Sequence, residues 1–217
     1  MEVIHRLLCV AMSAALIPLC GNAQTPAEPQ PSLPLFGRDT VLVWRIENQG
    51  ETASFVVRVA EFQPNRFIEW ENATTQGTVY MSEKAVATAR VFLNARLFEG
   101  GVDTKGKDAT TLWLSRKAFT DLKAKGRLRL AIDSVDCWVS VEGNGAITVE
   151  ANRVPVRLPV IHVKDERGAE RWFLDSEENP LMVRHVLRQY DQTLASITTD
   201  RPNTLRWIKG RKLTGPR

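Results

Sequence analysis

Apolar residues recur at every second position along most of this chain, and that period confines it to strands. Leu128, Leu130 and Ile132 alternate with Arg127, Arg129 and Ala131, and Leu42, Trp44 and Ile46 with Val43, Arg45 and Glu47. Phe55, Val57 and Val59 share one face of the next run. Cys137, Val139 and Val141 follow the same rule, as do Ile147 and Val149 against Thr148 and Glu150. Strands with one wet face are the habit of antiparallel sheets. Turn signals punctuate them at Asn48-Gln49-Gly50, Glu142-Gly143-Asn144-Gly145, Asn152-Arg153 and Asp165-Glu166-Arg167-Gly168. Residues 127–199 therefore read as a meander of short strands. The expected fold is mainly β with some helix (α+β): a curved antiparallel sheet or half-barrel with two helices packed on it.

The helices come with an internal repeat. Thr78-Val-Tyr-Met-Ser-Glu-Lys-Ala-Val86 and Thr111-Leu-Trp-Leu-Ser-Arg-Lys-Ala-Phe119 each read as a four-residue strand ending in serine, then a helix. Ser82 and Ser115 are natural N-caps, because a hydroxyl can accept from an orphan N–H of the first turn. The expected helices cover 82–94, burying Val86, Ala89 and Leu93, and 116–125, burying Ala118, Phe119 and Leu122. The second stops at Gly126, with Lys123 and Lys125 favouring its dipole. Neither serine has a histidine or acid at a spacing that would make it a nucleophile.

Pro155 and Pro159 add a constraint. Four residues apart, they remove two N–H groups from one side of a strand. If Asn152-Arg153 is a two-residue hairpin turn, that side faces away from the preceding strand and cannot be fully laddered. An edge or opening is expected there.

The ends of the chain concern address. Arg6, the mostly apolar run Leu7–Leu19 and the small residues of Gly21-Asn22-Ala23 read as a secretory signal over 1–23, cleaved before Gln24. As helix that run spans about 20 Å, short of a bilayer core of about 30 Å, so no transmembrane span is expected. Cys20 sits in a loose lipobox, but Leu19 stands where a small residue is needed, so periplasmic release or secretion is expected over lipidation. Residues 24–39 hold four prolines and read as a linker, and 40–199 as a single β-rich domain. Only Cys137 follows the signal, which leaves no internal disulfide and reads as a buried thiol. The net charge is +4, and the excess gathers in a basic tail, 200–217, with six cations against one acid. Arg206, Trp207, Lys209, Arg211 and Lys212 are its candidate docking residues, suited to an anionic envelope surface; no nucleic-acid partner is expected.

Motifs for chemistry are missing. There is no Gly-rich phosphate loop, HExxH, GxSxG, CxxC or EF-hand loop, so no cofactor, no metal and no enzyme is expected. His162 shares parity with Val156, Leu158 and Val160, and His185 with Val183 and Leu187, which puts both on apolar faces. They read as core histidines or, with Asp165 or Asp175, as part of a metal-dependent hydrolase. Asp175-Ser-Glu-Glu178 before Asn179-Pro180 reads as a turn. Among the tryptophans, Trp44 and Trp172 alternate with charged neighbours and are candidates to wall an apolar pocket, with His162 and His185 beside them.

Leu158-Pro-Val-Ile-His-Val163, Gly168-Ala-Glu-Arg-Trp-Phe-Leu-Asp175 and Asn179-Pro-Leu-Met-Val183 together resemble a segment of exported bacterial proteins. The layout of signal, antiparallel strands and two inserted helices is similar to periplasmic lipoprotein-carrier-like proteins. That likeness implies an unclosed β-barrel with helices over its opening and acyl chains inside. No binding residue carries over from it. The expectation is an exported, non-catalytic protein holding a lipid or other hydrophobic ligand in the sheet's concavity. The alternative is an envelope scaffold docking through its basic tail.

Overall fold

Three tight turns with left-handed backbone set the path of the chain. Gln49-Gly50, Asp133-Ser134 and Asn152-Arg153 all have positive φ at both central residues, the geometry that matches the twist of paired strands. A computed structural model of the protein describes residues 36–94, 104–106 and 108–199. The expected signal (1–23), linker residues 24–35 and the tail 200–217, with Arg206, Trp207, Lys209, Arg211 and Lys212, lie outside the described residues.

The first hairpin joins β1 (Val41–Asn48) to β2 (Glu51–Glu61), and β3 (Arg66–Glu71) and β4 (Gln76–Met81) continue the antiparallel run. After α1 (Glu83–Thr88) come the short strands β5 (Val91–Phe92), β6 (Thr104–Gly106) and β7 (Ala109–Thr110), then α2 (Arg116–Lys125). The remainder is β8 (Arg127–Ile132), β9 (Val135–Ala151), β10 (Val154–Asp165), β11 (Glu170–Leu174), β12 (Met182–Leu187) and β13 (Tyr190–Thr198). All thirteen belong to one curved sheet, ordered β6-β4-β3-β2-β1-β13-β12-β11-β10-β9-β8-β5-β7. The expected β-rich class is observed, but the sheet is mixed. β6 pairs parallel with β4, and β5 pairs parallel with both β7 and β8. β13 also touches β9 in parallel, Ser196 beside Glu150 and Ile197 beside Ala151, so the sheet folds back on itself.

Both serine caps form. Ser82 Oγ accepts from the Ala85 N–H and Ser115 Oγ from the Ala118 N–H, each at 3.1 Å. Gly126 ends α2 at φ 70, and Ala118, Phe119 and Leu122 are the buried face of that helix. The first helix is shorter than its apolar stripe suggests, stopping at Thr88. Beyond it the backbone is claimed by the sheet: Ala131 N–H donates to Arg90 O and Leu93 N–H to Thr110 O. Residues 111–114 are likewise no strand. Leu112 sits at φ 58, and this stretch bonds to 180–182 instead. The Gly143-Asn144-Gly145 stretch is no turn either. β9 runs straight through it, absorbing one extra residue as a bulge opposite His162/Val163.

Aromatic side chains fill the core. Trp44, Trp70, Trp113, Phe92, Phe119 and Phe173 are all wholly buried. Gly77 is required by this packing, because a Cβ there would lie 2.9 Å from the Trp70 indole. The opening expected at the prolines is present. β11 pairs with β10 only from Val160 onward, and no described strand lies along the outer side of 154–159.

Candidate functional site

The buried side of β10 changes along its length. Val156, Leu158 and Val160 are buried, and from Ile161 the buried residues are Ile161, Val163 and Asp165. This switch corrects the expected position of His162. Residues opposite one another across a ladder share a face, and His162 pairs with Trp172, which pairs with Arg184. These three form a half-exposed outer row. The His162 ring stacks on Trp172 at 4.3 Å between centroids, and its Nε2 lies 2.9 Å from Glu170 Oε2. The next row is Val163, Arg171, His185 and Gln192. His162 and His185 therefore occupy opposite faces of the sheet.

Trp44 is not near Trp172 in role or exposure. It is wholly buried, and its indole N–H donates to the Met182 carbonyl at 3.2 Å. The four residues expected to form one ligand site are thus divided between the core (Trp44), the outer face (Trp172, His162) and a polar cluster (His185). Asp175 follows β11 and pairs with Lys123 of α2, and Asn179 accepts from the Trp113 indole N–H at 2.7 Å. Among the described residues no group of three His, Cys, Asp or Glu could hold a metal ion. Cys137 is buried, and burial pushes its thiol up.

His185 belongs to a cleft of about 740 Å³ built where hairpin ends meet. Asn48 and Gln49 come from the β1–β2 turn, Asp133 from β8–β9, Arg167 and Ala169 from β10–β11, and Leu187, Arg188, Gln189 and Tyr190 from β12–β13. Arg171, His185 and Asn94 complete it. Ten of these twelve residues are polar or charged. The turns are tied together: Gln49 N–H donates to Gln189 O, and Asn94 N–H to Asp133 Oδ1 at 2.7 Å.

Beneath the cleft is a buried ion pair. Asp165 Oδ2 accepts from Arg171 at 3.0 Å, and its Oδ1 accepts from the N–H groups of Arg167 and Ala169. Burial alone would raise this carboxyl, but the Arg171 guanidinium and the two backbone donors hold it below the usual carboxylate range. Arg171 still has an unused donor, for its Nε is buried with no hydrogen-bond partner. Counting Arg167, Arg171 and Arg188 against Asp133 and Asp165, the cleft and its floor carry one net positive charge.

Burial, reinforced by Arg171, pushes His185 down to about 3, and burial pushes Tyr190 up to about 12. Asn94 Nδ2 lies 2.8 Å from His185 Nδ1, so the amide donates there and the ring proton belongs on Nε2. An unfolded histidine takes a proton near 6.5, whereas this one resists until about 3. Its contribution to stability is therefore whole above pH 6.5 and is lost as pH falls toward 3, by up to about 1.4 kcal/mol per unit. His185→Gln is expected to flatten that slope. Urea midpoints near neutrality and near pH 5 would check it; equal slopes in both proteins would show that His185 is not the group being forced to charge.

Sequence reasoning missed Arg171 and considered Asp165 only as a metal ligand, although a signal for the pair existed. Arg171 shares parity with Ala169 and Phe173, and Asp165 with Ile161 and Val163, so each is a charge on an apolar row. Comparison of the chain with protein families, with curated proteins and with solved structures found no match.

Proposed function

We propose that this is an exported, non-catalytic binding protein whose ligand is a small, water-soluble anion held in the polar cleft. The observation that carries the reading is the Arg171 Nε, a buried donor without an acceptor in a cleft of net positive charge. A carboxylate offers the missing acceptor, and Arg188 and Arg167 add charge at the rim. The amides of Asn48, Asn94 and Gln189 suit hydroxyl groups on the same ligand. Binding is favoured over acid–base chemistry because neither His185 nor Tyr190 changes charge near neutral pH. The hydrophobic ligand expected from the sequence is less well served. Trp44 has no exposed surface to offer it, and the cleft is lined mainly by polar side chains. Export rests on residues 1–23 alone.

Native mass spectrometry of the protein purified from its own compartment without detergent is the test, followed by calorimetry with glucuronate and glucose. The expected results are an acidic, soluble adduct and saturable binding of glucuronate but not of glucose, weakened in Arg188→Gln. A lipid adduct would overturn the polar reading in favour of the hydrophobic one. A bare polypeptide indifferent to glucuronate would also overturn it, and make the basic tail around Trp207 the working part.

A further inference from the structure

A second group of donors without acceptors lies away from the cleft, where β3 begins. Arg66 opens β3 and is only 1% exposed. Its guanidinium carbon sits 4.3 Å from the Phe62 ring centre and 4.4 Å from that of Trp113. Two aromatic faces stabilise a cation, but they accept none of its five N–H bonds. The Nε has no hydrogen-bond partner, and no carboxylate among the described residues pairs with the group. The nearby charge that acts on it is another cation, Arg116, and burial with this repulsion lowers Arg66 to about 9.

Thr111 stands in the same place. Its side chain is wholly buried and its hydroxyl has no partner. Its N–H donates to Met81 Sδ at 3.4 Å, and Met81 is the residue directly across the ladder from Arg66. Arg66 and Thr111 are therefore both neighbours of Met81, one as its partner across the ladder and the other through its main-chain N–H. The ten-residue α2 begins at Arg116, adding the positive end of its dipole to this region. The two buried side chains without hydrogen-bond partners here, the Arg66 guanidinium at its Nε and the Thr111 hydroxyl, can both donate. What is missing is a negatively charged acceptor.

We propose that Arg66 and Thr111 form a buried anion site, separate from the polar cleft, that takes one small carboxylate. A carboxylate fits better than a halide because its two oxygens can accept from neighbouring guanidinium N–H groups and from a hydroxyl together. Because Arg66 is covered, exchange at this site requires a local opening and is slower than in the open cleft.

The test is the ¹⁵N spectrum of the full chain labelled at arginine side chains, titrated with acetate at fixed ionic strength. The Nε–H signal of Arg66 is identified by its absence in Arg66→Lys, and that of Arg171 is read in the same spectrum. Arg66 is expected to shift saturably with acetate and not with chloride. Thr111→Val keeps the shape of the side chain and is expected to raise the acetate needed about tenfold, the equivalent of one hydrogen bond to a charged group. An Arg66 signal that acetate leaves in place would overturn the proposal, as would an unchanged titration in Thr111→Val. Movement of Arg171 alone would support the cleft while removing the second site, so the two readings fail separately.

Discussion

Asp165→Ala is expected to destabilise the protein by about 3–5 kcal/mol, a large share of the stability of an ordinary domain. The side chain is fully shielded from solvent and accepts three hydrogen bonds: one from Arg171 and two from the backbone of its own turn. Removing it leaves Arg171, itself only 3% exposed, as an uncompensated buried charge. It also frees the 165–169 turn, which supplies one wall of the cleft. Two variants separate these effects. Asp165→Asn keeps the acceptor for the turn but loses the charge, and should fall between Ala and the natural residue. The double change Asp165→Leu with Arg171→Met replaces both ions by apolar groups, and should be less damaging than Asp165→Ala alone. Denaturant midpoints of the three variants read the comparison directly. If the double variant were the least stable, the pair would be contributing far more than mutual neutralisation.

The strands were legible because their pattern is local. A period of two needs only neighbouring residues, and the caps at Ser82, Ser115 and Gly126 are equally local in cause. Failures occurred where a distant segment competed for the same backbone. Leu93 continues the helical stripe of Val86 and Ala89, yet β7 and β8 pair with Val91 and Phe92 and end the helix early. Gly143-Asn144-Gly145 carries a strong turn composition, but a long partner in β10 holds it extended. His162 was misplaced because β10 passes from one buried face to the other between Val160 and Ile161, and parity counted along one strand cannot register such a crossing. The cleft was illegible for a related reason. Its members come from four hairpin turns, the Asn94 loop and strands β11 and β12, and Asn94 meets His185 across 91 positions of sequence. The one trace it left was charge on apolar rows at Asp165 and Arg171.

Trp44→Ala provides the other large effect, and it tests which role that tryptophan has. The indole is wholly buried, packs against Phe55 at 5.9 Å between centroids, and donates its N–H to the carbonyl of Met182. Phe55 in turn meets Trp70 at 6.2 Å, so the hole would open in the middle of an aromatic row. A cost of about 3–5 kcal/mol is expected, from lost apolar burial and from the cavity left behind. Trp44→Phe refills much of that space but strands the carbonyl, and about 1–3 kcal/mol should separate it from the natural protein. The milder variant stays folded enough for a binding measurement. Because no part of Trp44 is exposed, its glucuronate affinity should match that of the unaltered chain while its urea midpoint falls. Affinity lost ahead of stability would instead make Trp44 the wall of a ligand pocket, as its alternation with charged neighbours first suggested. The same result would shift the binding site from the hairpin ends to the interior of the sheet.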